Sequence, residues 1–118
     1  MALHNLRGKE GEQLAIAYLR EREFNILHCN WKFMRYEIDI IAAKDGIIHF
    51  IEVKTRHTTT FGYPEQSVSK KKFSNLKKAA VEYLFTHPVW IRVQYDILAI
   101  TRLKNTEDEY FFIEDVYL

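Results

Sequence analysis

Two acidic residues, each inside an apolar run of strand length, constrain the fold of this chain more than any other feature. Asp39 lies within Ile38–Ile41, and Glu52 lies within Phe50–Val53. An ionised carboxylate in such a run is costly unless a cation or several hydrogen bonds compensate for its lost hydration. The turn residues Lys44-Asp45-Gly46 separate the two runs and predict a β-hairpin. Asp39 is therefore expected one strand away from Glu52, near the same end of a sheet.

Glu52 and Lys54 are two residues apart, so both side chains project from the same face of their strand. Two carboxylates beside a lysine suit Mg²⁺ or Mn²⁺, which favour oxygen ligands and activate water for phosphodiester hydrolysis. Lys54 would orient that water or stabilise charge developing on the phosphate. The spacing also fits a structural alternative, in which Glu52 pairs with Lys54 and Asp39 is an isolated, hydrogen-bonded acid. The residues alone leave both interpretations open.

The length of 118 residues and the hydrophobic periodicity predict one α/β domain over residues 1–118, with element order α-β-β-β-α-β-β. The predicted helices are Arg7–Glu23 and Ser69–Phe85, and the predicted strands are Phe24–Phe33, Tyr36–Ala43, Ile47–Thr55, Trp90–Thr101 and Tyr110–Val116. The Thr-rich segment His57–Gln66 is interpreted as a mobile loop. Gly8 and Gly11 each cost the first helix roughly 1 kcal/mol relative to Ala. Their presence predicts close approach of that helix to a sheet.

Charge is distributed unevenly along the chain. Up to Lys104 it carries 17 Lys and Arg against 11 Asp and Glu, whereas residues 105–118 carry five acids and no base. A basic body suits a polyanionic partner. The polar N-terminal residues lack the apolar run of an export signal, and the single Cys29 cannot form an intrachain disulfide, so a cytoplasmic protein is expected. Since no run reaches the roughly 20 apolar residues that cross a bilayer, no membrane association is expected.

The acidic runs also carry a family resemblance. Residues 37–42 read Glu-Ile-Asp-Ile-Ile-Ala and residues 50–56 read Phe-Ile-Glu-Val-Lys-Thr-Arg, which together resemble the core of the PD-(D/E)XK nuclease superfamily. Nearly the whole chain closely resembles the YraN-like family of small bacterial proteins. The further matching positions are Gly8, Gly11, Glu12, Ala15, Leu19, Asn30, Trp31, Tyr95 and Asp96. The resemblance implies a restriction-endonuclease-like fold, a central mixed β-sheet flanked by helices, and similarity to Holliday-junction resolvases.

The resemblance also implies roles for individual residues. Asp39 and Glu52 would ligate the metal ion, and Lys54 would be the catalytic lysine. The Val53 carbonyl and Glu12, which matches an additional acid of the resolvase-like branch, would be further metal ligands. The implied cofactor is Mg²⁺ or Mn²⁺.

Contacts with nucleic acid are predicted at three places. Arg56, just beyond the catalytic strand, fits a phosphate clamp. Lys70, Lys71 and Lys72 begin the second helix and either track phosphates or form a solvated face. Tyr36 stands where the family usually has Gly, so its ring is expected near the site, where it stacks on a base or fills a gap.

The sequence therefore predicts a nucleic-acid-binding, metal-dependent endonuclease, with DNA favoured over RNA and branched DNA as a candidate substrate. Cleavage of a four-way junction would need two symmetric cuts and hence a homodimer, an expectation that depends on family analogy. Two alternatives stay open. One is a nucleic-acid-binding protein that keeps the fold without cleaving, and the other is a protein-interaction module whose polar cluster is structural.

Overall fold

The computed structural model describes the backbone of residues 3–57 and 70–116, with side chains from residue 10 onward. Within these ranges, two helices and five strands follow the order α-β-β-β-α-β-β, which confirms the predicted fold class. The helices are α1 (Leu3–Glu21) and α2 (Lys70–Thr86), and the strands are β1 (Asn25–Phe33), β2 (Tyr36–Lys44), β3 (Ile47–Arg56), β4 (Arg92–Thr101) and β5 (Glu109–Ile113). The predicted helix cap Ser69 and nearly all of the predicted loop lie outside the described residues.

Helix α1 differs from its prediction at both ends, since it spans Leu3–Glu21 rather than Arg7–Glu23. It ends early because Glu23 has a φ of 68°, the left-handed conformation that terminates helices. The amide of Phe24 then donates to the Leu19 carbonyl at 3.0 Å. Among the described residues, no helix has the length and apolar character needed to cross a bilayer.

Strand β5 is shorter than predicted, since it ends at Ile113 rather than Val116. Asp115 has a φ of 57°, which turns the chain out of the extended conformation. The amide of Val116 therefore donates to the Tyr95 carbonyl at 2.8 Å, beyond the end of the β5 ladder. The hydrophobic periodicity of the sequence continues through this turn, so it does not predict where the strand ends.

All five strands form one mixed sheet in the order β1-β2-β3-β4-β5. The β3–β4 pair is parallel and the other three pairs are antiparallel. A parallel pair needs a crossover connection, and α2 lies within it. Between β2 and β3, Asp45 and Gly46 have φ values of 51° and 77°, as a two-residue type I′ hairpin requires.

Each face of the sheet carries its own core. Helix α2 covers one face, where Ile48 and Phe50 of β3 pack with Phe73 of the helix. Helix α1 covers the other, where Ile51 packs with Leu19. Because side chains alternate along a strand, Glu52 and Lys54 continue the α2 face of β3 beyond its last apolar residue. The candidate site therefore lies where the α2-side core gives way to polar residues.

Gly11 brings α1 against β3, as its cost to the helix predicted. A methyl group at this position would overlap Thr55 Oγ1 and would lie 3.2 Å from Thr55 Cβ. Gly8 lies among the residues whose side-chain surroundings are not described. The contact fixes α1 beside the same end of β3 that carries Glu52 and Lys54.

We expect Gly11→Ala to destabilise the fold by about 1–3 kcal/mol, because overpacking outweighs the roughly 1 kcal/mol gain in helix propensity. Chemical denaturation measures the effect. Adding Thr55→Ala removes the overlapping Oγ1 and should recover much of the loss in a double-mutant cycle. A Gly11→Ala protein as stable as wild type would show that helix and strand separate without cost.

Candidate functional site

Alternation along β2 is interrupted at Asp39. Ile38 and Ile41 are three residues apart, yet both join the α2-side core, whereas Ile40 joins the α1-side core. The β2–β3 ladder ends at Ile40, and beyond it Asp39 Oδ2 accepts a hydrogen bond from the Val53 amide at 2.8 Å. The carboxylate thus takes the position of a backbone acceptor and is held against β3.

The electrostatic surroundings of Asp39 show how close the two acids lie. Burial, followed by the negative charge of Glu52, raises the pKa of Asp39 from 3.8 to about 7. Glu37 adds to the rise, and the hydrogen bond from Val53 opposes it. Positive charge near Asp39 therefore does not balance its burial and the neighbouring acid. The structure brings Asp39 and Glu52 together, as the hairpin predicted.

Glu52 is the buried centre of a group of opposite charges. Its side chain is 8% exposed, and its Oε1 lies 3.8 Å from Lys54 Nζ and 2.8 Å from Lys72 Nζ. Lys54 lies two residues along β3, whereas Lys72 reaches Glu52 from the first turn of α2. Two ammonium groups from different elements therefore share one carboxylate oxygen.

The pKa values of the two lysines are shifted in opposite directions. Burial lowers the pKa of Lys54, and a hydrogen bond and repulsion from Lys72 lower it further. Burial also acts to lower the pKa of Lys72, but its hydrogen bonds with Glu52 and Lys54 and the negative charges of Glu52 and Asp39 together outweigh this, so that the pKa is raised. Lys72 is therefore the firmer countercharge of Glu52, and Lys54 is the lysine that gives up its proton more easily.

Arg56 and Tyr36 flank this group. Arg56 continues the row of Glu52 and Lys54 on β3, and its Nε is buried without a hydrogen-bond partner among the described residues. Tyr36 is half-buried against the α2-side core, and its ring faces the cationic groups of Arg35 at 5.5 Å and Lys78 at 5.7 Å. Tyr36 thus fills a gap at the edge of the core and also lies beside positive charge.

Other predicted residues lie outside the acid pair. The Glu12 carboxylate accepts a hydrogen bond from Asn30 Nδ2 at 2.7 Å, which ties α1 to β1. Lys70 and Lys71 are exposed in the first turn of α2. Among the described side chains, no group of three or more His, Cys, Asp or Glu residues is placed to hold a metal ion.

The donor set of the acid pair still fits a divalent cation. Asp39 and Glu52 provide carboxylate oxygens from adjacent strands, and the negative charge of Glu52 adds to burial in raising the pKa of Asp39. Mg²⁺ is commonly held by one or two carboxylates together with waters and substrate phosphates. The Val53 carbonyl belongs to the residue whose amide binds Asp39, so its position as an additional ligand stays a prediction.

A second polar cluster lies on the α1 face. His49 Nδ1 lies 2.6 Å from Asp96 Oδ2, and both side chains are buried. Asp96 Oδ1 also accepts hydrogen bonds at 2.9 Å from Gln94 Nε2 and the Asp115 amide. Phe24 packs edge-on against the His49 ring. His49 and Asp96 therefore hydrogen-bond across β3 and β4, and Asp96 also holds the turn after β5.

The sequence did not predict the contact of Lys72 with Glu52. Lys72 was predicted as a phosphate contact in a run of lysines, but its ammonium lies on the buried Glu52. A signal was present, because Lys72 precedes the buried Phe73 and is four residues before the buried Leu76. That spacing puts it at the edge of the core-facing side of α2, next to the sheet.

We expect Asp39→Asn to change how stability depends on pH when metal is chelated. The folded-state pKa of Asp39 is raised from 3.8 to about 7, so its stabilising proton is fully bound below 3.8 and lost as pH rises through 7. The free energy of unfolding of wild type, relative to that of the variant, should fall by up to about 4 kcal/mol between about pH 4 and pH 8. Urea denaturation at both pH values measures this.

The exposed turn residue Asp45 offers the matched control, since Asn tolerates its left-handed conformation. Asp45→Asn should leave the pH profile close to that of wild type. If the difference in unfolding free energy between Asp39→Asn and wild type is the same at both pH values, the two acids do not repel each other as described.

Comparison with known proteins identifies the family of this chain. Residues 11–100 match the family described as Uncharacterised protein family UPF0102. A UPF0102 protein of Christiangramia forsetii is 38% identical, with 95% of this chain and 99% of that protein covered. A relative in Flavobacterium psychrophilum is 39% identical with 99% and 98% covered, and one in Bacteroides thetaiotaomicron is 40% identical with 85% and 83% covered. The chain therefore belongs to the UPF0102 family, the YraN-like family that its motifs resemble.

Proposed function

We propose that this protein binds nucleic acid, with DNA favoured over RNA, and hydrolyses phosphodiester bonds with a divalent cation held by Asp39 and Glu52. The supporting observation is a pair of carboxylates on adjacent strands, in which burial and then the negative charge of Glu52 raise the pKa of Asp39 to about 7. Cationic side chains adjoin this pair on the same face of the sheet. Two carboxylates that a cation would stabilise, next to cationic side chains that can bind phosphate, match the chemistry of a metal-dependent nuclease.

The side chains have separable tasks in this proposal. Asp39 and Glu52 hold Mg²⁺ or Mn²⁺, which when bound would neutralise phosphate charge and lower the pKa of a water. Lys54 orients the attacking water and stabilises the charge that develops on the phosphate. Val53 contributes its amide, which keeps the Asp39 carboxylate pointed at β3.

Arg56 is the residue that we assign to the phosphate itself. Its Nε donor is buried without a partner among the described residues, and a buried donor without a partner is costly. A phosphate oxygen would satisfy it, and a guanidinium can form two parallel hydrogen bonds with phosphate. Lys54 precedes Arg56 by two residues on the same face of β3, so a phosphate bound there would lie beside the acid pair.

Branched DNA as the substrate, and the homodimer that two symmetric cuts would require, remain part of the proposal through family resemblance. The exposed Lys70 and Lys71 lie at the start of α2, on the same helix as Lys72. They would extend the phosphate-binding surface away from the acid pair.

A second candidate function is nucleic-acid binding without cleavage. The observation in its favour is the ammonium of Lys72, 2.8 Å from Glu52, which partly supplies the charge that a metal ion would provide. The third acid of the predicted site, Glu12, is engaged by Asn30 instead. In this alternative, Lys72 completes the polar cluster permanently, and Arg56 with the exposed lysines binds the phosphate backbone.

We expect Lys54→Ala to reduce Mn²⁺-dependent cleavage of branched or duplex DNA by about a hundredfold or more, since the variant lacks the group that orients water. An ammonium does not ligate a cation, so the rise in melting temperature that Mn²⁺ produces should persist. Gel assays with Mn²⁺ and with EDTA, together with thermal denaturation, measure both properties. Lys104→Ala, which removes an exposed lysine from the connection between β4 and β5, is the control.

Cleavage by Lys54→Ala at the wild-type rate would exclude Lys54 as the catalytic lysine. Salt-sensitive binding of DNA by wild type, without cleavage in Mn²⁺, would select the second candidate function. Absence of both binding and cleavage for DNA and RNA would leave the protein-interaction alternative.

We expect the double variant Lys70→Gln, Lys71→Gln to weaken DNA binding and to flatten its dependence on salt. Each lost phosphate contact should lower the slope of log K against log salt by about 0.9 for duplex DNA. Fluorescence anisotropy over a range of salt concentrations measures the slope. Lys104→Gln, in the connection between β4 and β5, removes a comparable charge as a control. An unchanged slope in the double variant would identify the start of α2 as a solvated face.

A further inference from the structure

Lys72 stands out because it is a cation at the place where the proposed metal ligand needs one. Its Nζ lies 2.8 Å from Glu52 Oε1, a full ångström closer than Lys54 Nζ at 3.8 Å. The Glu52 side chain is 8% exposed, so little water remains to screen it. A buried carboxylate that already has a close ammonium partner gains less from a divalent cation than an unpaired one would.

The two lysines differ in how easily each can leave Glu52. Lys54 is 24% exposed and lies on the same strand as Glu52, two residues away, so the strand itself holds it near. Lys72 is 46% exposed and comes from α2, at the end of a flexible four-carbon chain. An incoming cation repels both ammonium groups on this oxygen, and Lys72 is the more exposed of the two.

We infer that Lys72 is a built-in competitor of the divalent cation, which must displace its ammonium from Glu52 in order to bind. This inference rests on the metal site of the proposed function and adds the residue that sets its affinity. Lys72 neutralises Glu52 in the absence of metal and lowers the affinity of the site for metal by the free energy of the lost ion pair. Competition for one carboxylate is reciprocal, so that bound metal equally weakens the contact between Lys72 and Glu52.

The test measures Mn²⁺ binding by titration calorimetry, without nucleic acid, for wild type, Lys72→Gln and Lys71→Gln. Lys72→Gln should bind Mn²⁺ about fivefold more tightly or better, the lower end of typical coupling between sites. Lys71→Gln removes the same charge from the neighbouring, exposed position of the helix, so it reports the general effect of one lost charge. That control should stay within about twofold of wild type, because charges exposed to salt solution are screened.

A second measurement follows Lys72 directly in the unmodified protein. Titration with diamagnetic Mg²⁺ should move the ¹³Cε NMR resonance of Lys72 as its ammonium leaves Glu52. The corresponding resonance of the exposed Lys71 should move little. This measurement needs no variant and is unaffected if a substitution alters folding.

Unchanged or weaker Mn²⁺ affinity in Lys72→Gln, an equal gain in Lys71→Gln, or a Lys72 resonance unmoved by Mg²⁺ would overturn the inference. Absence of Mn²⁺ binding from both wild type and Lys72→Gln would overturn it as well. Since these assays contain no nucleic acid, they separate this inference from the proposed function. Tighter metal binding in Lys72→Gln without cleavage by any form would support the competition and count against the nuclease.

Discussion

The candidate site depends on the hydrogen bond from the Val53 amide to the Asp39 carboxylate. This bond replaces a backbone hydrogen bond where the β2–β3 ladder ends. It therefore connects the two strands and also holds the Asp39 carboxylate near Glu52. Without it, the strands could separate and relieve the repulsion between the carboxylates. Because it holds them together, burial and charge act in the same direction on Asp39, and the ammonium groups of Lys54 and Lys72 lie on the neighbouring Glu52.

Much of the fold could be predicted because each element carries a local signal. Alternating or apolar runs mark β2 and β3, Asp45-Gly46 marks their turn, and Gly11 marks the close approach of α1. The ends of α1 and β5 could not be predicted, because both depend on left-handed residues, Glu23 and Asp115, that are neither Gly nor Asn.

For the candidate site, the sequence predicted the contacts within the β2–β3 hairpin but not the contacts that other elements make. Asp39 and Glu52 converge through pairing between neighbouring strands, which residue spacing encodes. Contact between Lys72 and Glu52 depends on how α2 packs across the sheet, and spacing along the chain does not encode that packing. The same limit applies to Glu12, whose bond to Asn30 joins α1 to the edge strand β1.

The parallel pairing of β3 with β4 also sets an order in which the charges can assemble. A hairpin such as β2–β3 closes locally, on the order of microseconds, whereas a parallel pair must wait for its whole crossover to be ordered. During folding, Asp39 and Glu52 therefore meet before α2 delivers Lys72. In this interval the nascent hairpin carries two facing acids without that counterion. During this interval, water and dissolved ions screen the repulsion between the two carboxylates.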